Sequence, residues 1–195
     1  LTKSMLQSLP EQTTSSVGVL SLFSKYGDNE MFCKTFAPVN IPKYASFPLR
    51  CIAGTAPTVH VMEQAYGHSI AMGWLSLQFA FLNKISNAQV KLDNYQCECL
   101  ASAILSNEDF QCLKVTDIML FINQFITGKY GHFYGAVDAQ VIGEALYKYR
   151  TWKRTELANI HRKQQDALRR MQREQWLNDP RNITREEYLK LNNNN

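Results

Sequence analysis

The sequence predicts a mainly α protein, arranged as a compact helical bundle with a Pro-rich irregular N-terminal segment and a long basic C-terminal helix. Three observations support this fold class. From residue 58 onward, segments with apolar residues at helical spacing are bounded by capping residues and glycines. Residues 33–57 contain four prolines, a density that excludes a long helix. Residues 139–177 repeat apolar residues mostly at three- or four-residue intervals, which predicts one long helix.

Residues 1–57 are predicted to form an N-terminal arm followed by an irregular segment. The first 16 residues are polar and rich in Ser, Thr and Gln, which is typical of a loose arm. A short helix is expected over residues 17–26, ending at Gly27. The prolines of residues 33–57 then predict an extended or looped chain with room for one short strand.

Residues 58–154 are predicted to form the helical core. A short helix is expected over residues 58–66, before Gly67, and is followed by a core helix over residues 68–85 that is apolar on most faces. The apolar run in this core helix, about 14 residues, is too short to span a membrane. We therefore expect no membrane association.

Two further core helices are predicted from their first residues. Asp93 is followed three residues later by Gln96, which is the spacing of a capping box, and this helix is expected to run to about Ser106. Thr116 or Asp117 is expected to cap the next helix, which leads to a glycine-rich loop.

The last long helix is expected to start after the capping residue Asp138 and to run from about residue 139 to 177, a length of about 60 Å. Its apolar positions average close to the period of a straight helix, so one stripe faces an apolar surface. Lys153 interrupts this stripe, and residues 155–195 are therefore predicted to form a basic helical extension. A short helix starting at Thr184 and a disordered run of asparagines are expected to close the chain.

The positive charge of the chain is concentrated in one stretch. The formal net charge is +4, but residues 1–147 carry 9 basic and 11 acidic residues, whereas residues 148–173 carry 9 basic and 2 acidic residues. This distribution predicts that the long helix contacts DNA or RNA, the alternative being that its basic side chains are only solvated. The predicted nucleic-acid-binding residues are Lys129, Tyr130, Lys148, Arg150, Lys153, Arg154, Arg162, Lys163, Arg169, Arg170 and Arg173.

The loop of residues 128–135, with the sequence GKYGHFYG, combines three glycines with four rings. Two interpretations of this loop stay open. The rings either form a stacking platform for single-stranded bases or plug into the core at a tight helix–loop–helix corner. The loop is not a phosphate-binding P-loop, because Tyr130 stands where Ser or Thr is needed.

The sequence contains no recognised catalytic or metal-binding motif. A nucleophile elbow, a zinc-protease helix and a dinucleotide-binding glycine motif are all missing, so no enzymatic activity and no cofactor are expected. The cysteines and histidines lack zinc-ligand spacing, and the odd number of cysteines favours a reducing, cytoplasmic location. One enzymatic alternative is a site built from His132, Tyr134 and Asp138.

Several residues together resemble a known family. They are Trp74, Leu82-Asn83, Leu113-Lys114, the apolar helix ending at Phe125, Gly128-Lys129-Tyr130-Gly131, Phe133-Tyr134-Gly135 and Asp138. This pattern resembles an uncharacterised family of small helical proteins from Bacteroides-type gut bacteria and their phage and mobile elements. The resemblance covers residues 64–154. The family usually has proline after the motif aspartate, where this chain has Ala139, and this change weakens the helix start slightly.

Two functions are therefore predicted. The resemblance transfers no catalytic residue, but it implies a role in mobile-element DNA metabolism. With the charge distribution, it predicts a non-enzymatic nucleic-acid-associated accessory protein in phage or mobile-element DNA replication. The alternative is a protein–protein interaction adaptor, whose basic amphipathic C-terminal helix docks onto an acidic protein partner.

Overall fold

The computed structural model describes residues 12–133, 135–179 and 185–193. The fold is mainly α, as predicted. The chain divides into two compact units, residues 1–152 and residues 153–195. The first unit takes in both the Pro-rich segment and the predicted helical core. Most of the predicted N-terminal arm lies outside the described residues.

The N-terminal half of the first unit is more helical than predicted. Helix α1 covers Gln12–Tyr26 and ends at Gly27, whose φ of +73° suits glycine. The prediction of an extended or looped chain over residues 33–57 is wrong. This region contains the end of α2, a short 3₁₀ turn and two short helices, with the bounds Asn29–Thr35 for α2, Pro38–Asn40 for the turn, Ile41–Ala45 for α3 and Pro48–Ala53 for α4.

Three of the four prolines in this region lie in the first turn of these elements. Pro38 and Pro48 are the first residues of the 3₁₀ turn and of α4, and Pro42 is the second residue of α3. A proline in a first turn breaks no helical hydrogen bond, because the N–H that it lacks has no intrahelical partner there. The prolines therefore limit the length of these helices without preventing them.

Helix α6 has the predicted bounds, His68–Ile85, and helix α5, Val59–Tyr66, starts one residue later than predicted. Thr58 caps α5 by accepting a hydrogen bond from the Val61 N–H at 3.2 Å. Helix α6 supplies much of the core and is tied to the chain after α2. The Trp74 indole N–H and the Gln78 amide donate to the Phe36 carbonyl at 3.0 and 2.8 Å.

Helix α7, Asn94–Leu105, starts with the predicted capping box. The Asp93 carboxylate accepts from the Gln96 N–H at 2.7 Å, and the Gln96 side chain accepts from the Asp93 N–H at 2.9 Å. A one-turn helix that was not predicted, α8, follows at Glu108–Gln111.

Helix α9 covers Val115–Ile126, and the predicted capping residues lie inside it. Neither Thr116 nor Asp117 is the N-cap residue, because the helix starts after Lys114. The Asp117 carboxylate, at the third helical position, accepts from the Lys114 backbone N–H at 2.7 Å. The Thr116 hydroxyl donates to the Cys51 carbonyl at 2.9 Å, which joins α9 to α4. Asp117 therefore still satisfies a backbone N–H at the helix start, but from the third helical position rather than from the N-cap.

A buried polar network holds the centre of the first unit. Asp117 and Tyr149 are both 0% exposed, and the Tyr149 hydroxyl donates to Asp117 Oδ1 at 2.8 Å. Burial, together with the neighbouring carboxylate, raises the pKa of Tyr149 far above its usual range. The Lys114 ammonium donates to the carbonyls of Ile52 and Gly54 at 2.9 and 2.5 Å. These contacts connect the end of α4, the start of α9 and the helix that carries Tyr149.

That helix, α10, covers Ala139–Asn178 and agrees with the predicted long C-terminal helix. The Asp138 carboxylate accepts from the Gln140 N–H at 2.7 Å, as expected of its capping residue. Helix α11 covers Arg185–Asn193, and its predicted first residue, Thr184, lies outside the described residues. Because α11 runs through Asn193, the prediction of a disordered asparagine run is wrong for Asn192 and Asn193.

Candidate nucleic-acid interface

The part of α10 that belongs to the second unit carries most of its cations on one face. At about 100° per residue, five of them lie within an arc of roughly 120°. Every residue from 161 to 178 is exposed, so all five side chains are accessible to solvent. We call this set the helical cation face, and it consists of Arg162, Lys163, Arg169, Arg170 and Arg173.

Neighbouring acceptors compensate little of the charge on the helical cation face. Asp166 lies on the same side, with Oδ1 4.0 Å from Arg169 Nη1, and these side chains are 53% and 76% exposed. Water and salt screen an exposed pair of this kind, which contributes on the order of 0–1 kcal/mol. Glu174, which is also exposed, lies at the edge of the face near Lys163 and Arg170. Arg162 Nη2 donates to the neutral amide oxygen of Asn159 at 2.9 Å. The face therefore keeps a positive potential.

The opposite side of the same helical segment is apolar. Two apolar pairs lie there, Leu157 with Ile160 and Leu168 with Met171; the residues of each pair are three apart, and Gln164 lies between the pairs. Leu168 and Met171 are 55% and 57% exposed. The segment is thus an amphipathic helix with a basic face and an apolar stripe, which is half-buried at Leu157 and Ile160 and exposed at Leu168 and Met171.

The four remaining basic residues predicted on α10 lie outside the helical cation face. Lys148 is exposed in the first unit, and Arg154 is exposed on another side of the helix. Arg150 Nη2 lies 2.6 Å from Asp109 Oδ1, so a carboxylate compensates its charge. Lys153 is 8% exposed. We therefore leave Arg150 and Lys153 out of the candidate interface.

The glycine–aromatic loop forms a packed corner between α9 and α10. Phe133 stacks on Phe125, with ring centroids 4.9 Å apart and an interplanar angle of 21°. The Tyr130 ring lies 5.5 Å from the Phe121 ring, between centroids. Both loop rings therefore pack on residues of α9, in agreement with the interpretation of the loop as a corner rather than a stacking platform.

Lys129 and Tyr130, which the sequence predicted as nucleic-acid contacts, are engaged within this corner. The Tyr130 hydroxyl and the Lys129 ammonium both approach Gln124 Oε1, at 2.6 and 3.1 Å. The same ammonium lies 3.7 Å from the Trp152 ring centroid, a close cation–π contact. Burial raises the pKa of Tyr130 well above its usual range. Because these contacts hold both side chains in the corner, we also leave them out of the interface.

The residues of the enzymatic alternative do not converge in the described part of the loop. His132 is exposed and lines a small cleft of about 130 Å³ together with residues such as Leu82 and Phe133. Asp138 is not among the residues that line this cleft, and its carboxylate caps α10. Tyr134 lies outside the described residues.

Residues 12–133, 135–179 and 185–193 contain neither a cluster of metal-binding side chains nor a membrane-spanning helix. Over these ranges, no three His, Cys, Asp or Glu side chains come together in a way that could hold a metal ion. No helix in the same ranges combines the length and the apolar character needed to cross a membrane.

A cleft in the first unit was not predicted from the sequence. It lies between the end of α1, α3, α4 and the loop after α4, and its volume is about 390 Å³. We call it the aromatic cleft; its rings are Tyr26, Phe36, Tyr44 and Phe47, and its cations are Lys25, Lys43 and Arg50. One feature of the sequence indicates a positively charged region here: residues 31–62 contain Lys43 and Arg50 but no Asp or Glu.

Comparison with known protein families matches the C-terminal part of the chain. The model of a family described as a family of unknown function (DUF6633) matches residues 94–195, more than half of the chain. The chain belongs to DUF6633. The DUF6633 region begins at the first residue of α7 and includes the packed corner and the helical cation face, whereas the aromatic cleft is built mostly from residues before it. No curated protein and no solved structure matches the chain.

Proposed function

We propose that this DUF6633 protein is a non-enzymatic, nucleic-acid-associated accessory protein that contacts phosphates through its helical cation face. One observation carries the proposal. Five exposed cations share one face of a helix, and only two carboxylates lie beside them in the described part of that face, Asp166 and Glu174, both of which are exposed. Such a face attracts a polyanion regardless of sequence, because the attraction is to the phosphate backbone.

The dimensions of the face suit a nucleic acid backbone. From Arg162 to Arg173 the helix axis rises by about 17 Å. Duplex DNA presents about ten phosphate charges over such a length, so each cation has phosphates within its reach. Arginine, which contributes four of the five cations, also donates two parallel hydrogen bonds to one phosphate.

The biological setting follows from the resemblance noted in the sequence. A family associated with phage and mobile elements favours a role in the replication of their DNA. The proposed protein would bind the nucleic acid as an accessory factor, without chemistry of its own.

The test is a salt titration of binding to labelled single- and double-stranded DNA, followed by fluorescence anisotropy. If several phosphates are contacted, log K falls linearly with log salt, with a slope of about −0.9 per phosphate on duplex DNA. Replacing Arg162, Arg170 and Arg173 by Gln should make this slope shallower by up to about 2.7. A matched control replaces three exposed lysines of the first unit, Lys34, Lys84 and Lys91, by Gln.

The control separates the position of the charges from their number. Both triple variants lower the net charge of the chain by the same amount, so a non-specific charge effect would weaken binding equally in the two. The proposal predicts a large loss only for the variant of the helical cation face. Absence of binding at about 50 mM salt would exclude the proposal, because phosphate contacts are strongest at low salt.

The exposed part of the apolar stripe supports the adaptor alternative. Leu168 and Met171 are more than half exposed, and an amphipathic helix with such a stripe fits a groove that is apolar at its base and acidic at its rim. In nuclease-treated extract, an adaptor would retain one protein partner and lose it when Leu168 and Met171 are replaced by Gln. Loss of all associations after nuclease treatment would favour the nucleic-acid proposal instead.

A further inference from the structure

We propose that the aromatic cleft is a binding site for a nucleoside monophosphate, a ligand with one planar aromatic base and one phosphate. This site lies in the first unit and is separate from the helical cation face, so the inference goes beyond the proposed function. It rests on the ring surface of the cleft, its cations and the absence of carboxylates from its lining.

Aromatic rings form the apolar surface of the cleft. The rings of Phe36 and Tyr44 are stacked, with centroids 5.6 Å apart and an interplanar angle of 26°, and the Tyr26 ring lies 5.2 Å from Phe36. Phe36 is 1% exposed, whereas Phe47 at the cleft is 54% exposed. A large apolar ring with more than half of its surface open to solvent, beside a packed ring cluster, offers a face on which a planar base can stack.

Two of the three cations at the cleft, Lys25 and Arg50, have contacts that position them. Lys25 donates from Nζ to the Thr55 hydroxyl at 2.8 Å, which joins the end of α1 to the loop after α4. The Arg50 guanidinium lies 4.9 Å from the Phe47 ring centroid, so it is positioned beside the open ring. A guanidinium beside an exposed ring supports both stacking with a base and bidentate contact with a phosphate.

The charge balance of the cleft favours a phosphate over a singly charged anion. Three cations line the cleft and no carboxylate does. In the described part of the chain, none of these three side chains forms an ion pair. A phosphate monoester carries a charge of about −1.5 to −2 near neutral pH, which matches this set better than one carboxylate does.

The size of the cleft limits the ligand. Its volume of about 390 Å³ lies near the lower end of the range of small-molecule sites, about 300–1,000 Å³. A ligand with one base and one phosphate is of this scale, whereas a dinucleotide needs more room. The predominance of rings in the lining, with a few charged groups, is also typical of sites for small ligands.

The test is isothermal titration calorimetry on the full chain at low ionic strength. The ligands are the four common nucleoside 5′-monophosphates, their nucleosides and inorganic phosphate. At least one monophosphate should bind at least about tenfold more tightly than its nucleoside and than inorganic phosphate. The nucleoside lacks the phosphate that contacts the cations, and inorganic phosphate lacks the base that stacks on the ring.

Three variants assign the binding to the cleft. Lys43→Gln and Arg50→Gln should each weaken binding of the monophosphate by about tenfold, since each removes a charged donor to the phosphate. Phe47→Leu keeps an apolar side chain but removes the ring, and should weaken binding by a similar factor. All three residues are exposed, so thermal unfolding should show that these variants stay folded.

Two control variants test whether a loss of binding is specific to the cleft. Lys34→Gln removes an exposed lysine that pairs with Glu30 and does not line the cleft, and it should leave the affinity unchanged. The triple Gln variant of the helical cation face should also bind the monophosphate normally, so failure of one proposal is distinguishable from failure of the other. The inference would be overturned if no monophosphate bound with a dissociation constant below about 1 mM, or if inorganic phosphate or the nucleoside bound equally tightly.

Discussion

Helix α10 carries apolar residues at the same spacing along its length, but its first part buries them and its C-terminal part exposes them. Ile142, Leu146 and Tyr149 are at most 1% exposed. Leu168 and Met171 are 55% and 57% exposed. The helical period therefore specifies that a helix forms and which of its sides is apolar. Whether this side is covered depends on the tertiary contacts of each part.

The polar residues of α10 differ between its two parts in the same way. In the first part, the Tyr149 hydroxyl bonds to buried Asp117 and Arg150 pairs with Asp109. In the second part, five cations lie on an exposed face beside two exposed carboxylates, Asp166 and Glu174. The two parts of α10 therefore differ in role: the side chains of the first part stabilise the fold, whereas the charged side chains of the second part are exposed to solvent.

The largest expected contrast between the two parts concerns leucines. Leu146→Ala should lower the free energy of unfolding by about 2–5 kcal/mol, because it removes a buried side chain and leaves a cavity. Leu168→Ala makes the same chemical change on the exposed stripe and should change stability by no more than about 0.5 kcal/mol. Urea unfolding followed by circular dichroism measures both. Equal losses would mean that the exposed stripe is buried in solution.

A smaller contrast concerns two tyrosines in the first part of α10. Tyr149→Phe removes the donor to the buried Asp117 carboxylate and should cost about 1–3 kcal/mol. Tyr147→Phe is the matched control, because the Tyr147 hydroxyl is in an exposed hydrogen bond with Asn107 and its side chain is 44% exposed. The control should change stability by no more than about 0.5 kcal/mol.

The alkaline pH dependence of these variants identifies the cause. The pKa of Tyr149 is raised by burial and by Asp117, so the native state keeps its proton while the unfolded state loses it above pH of about 10. The unfolded state then binds fewer protons, and stability falls as pH rises, by up to about 1.4 kcal/mol per pH unit for one such group. Tyr149→Phe removes this contribution, so its stability difference from the wild type should shrink above pH 10. A difference that stays constant to pH 11 would contradict the assignment to the hydroxyl.

Local signals allowed the sequence to predict most of the long helices. Helix α6 is bounded as predicted, since Gly67 and the end of its apolar run mark both ends. The capping box of α7 was predicted because both of its residues are close in sequence. The short helices around Pro38 and Pro48 were missed, because short helices depend on distant contacts such as the hydrogen bond from Thr116 to the Cys51 carbonyl of α4. Proline density predicts short elements, not their type.

The candidate sites also differ in whether they depend on local or on distant contacts. The helical cation face could be predicted because it lies on one helix, whose angular positions follow from the sequence. The pairing of Arg150 with Asp109 could not be predicted, because the two residues are distant in sequence and come together only in the folded unit. The aromatic cleft was missed for the same reason, since its cations come from three separate helices.

The smallest expected contrast compares two ion pairs of α10. Arg150 and Asp109 are 2.6 Å apart with side chains 27% and 46% exposed, whereas Arg169 and Asp166 are 4.0 Å apart and more exposed. Double-mutant cycles with Arg→Gln and Asp→Asn should give a coupling of a few tenths to about 1 kcal/mol for the first pair and a value near zero for the second.

The same arginine variants also separate stability from binding. Arg150→Gln should leave DNA affinity nearly unchanged, because its charge already serves the pair with Asp109, whereas Arg169→Gln should lower DNA affinity with little change in stability. Both substitutions remove one positive charge from the same helix, so total charge cannot account for a difference between them. If the two variants weakened DNA binding equally, the division of α10 into a stabilising part and a ligand-binding part would be wrong.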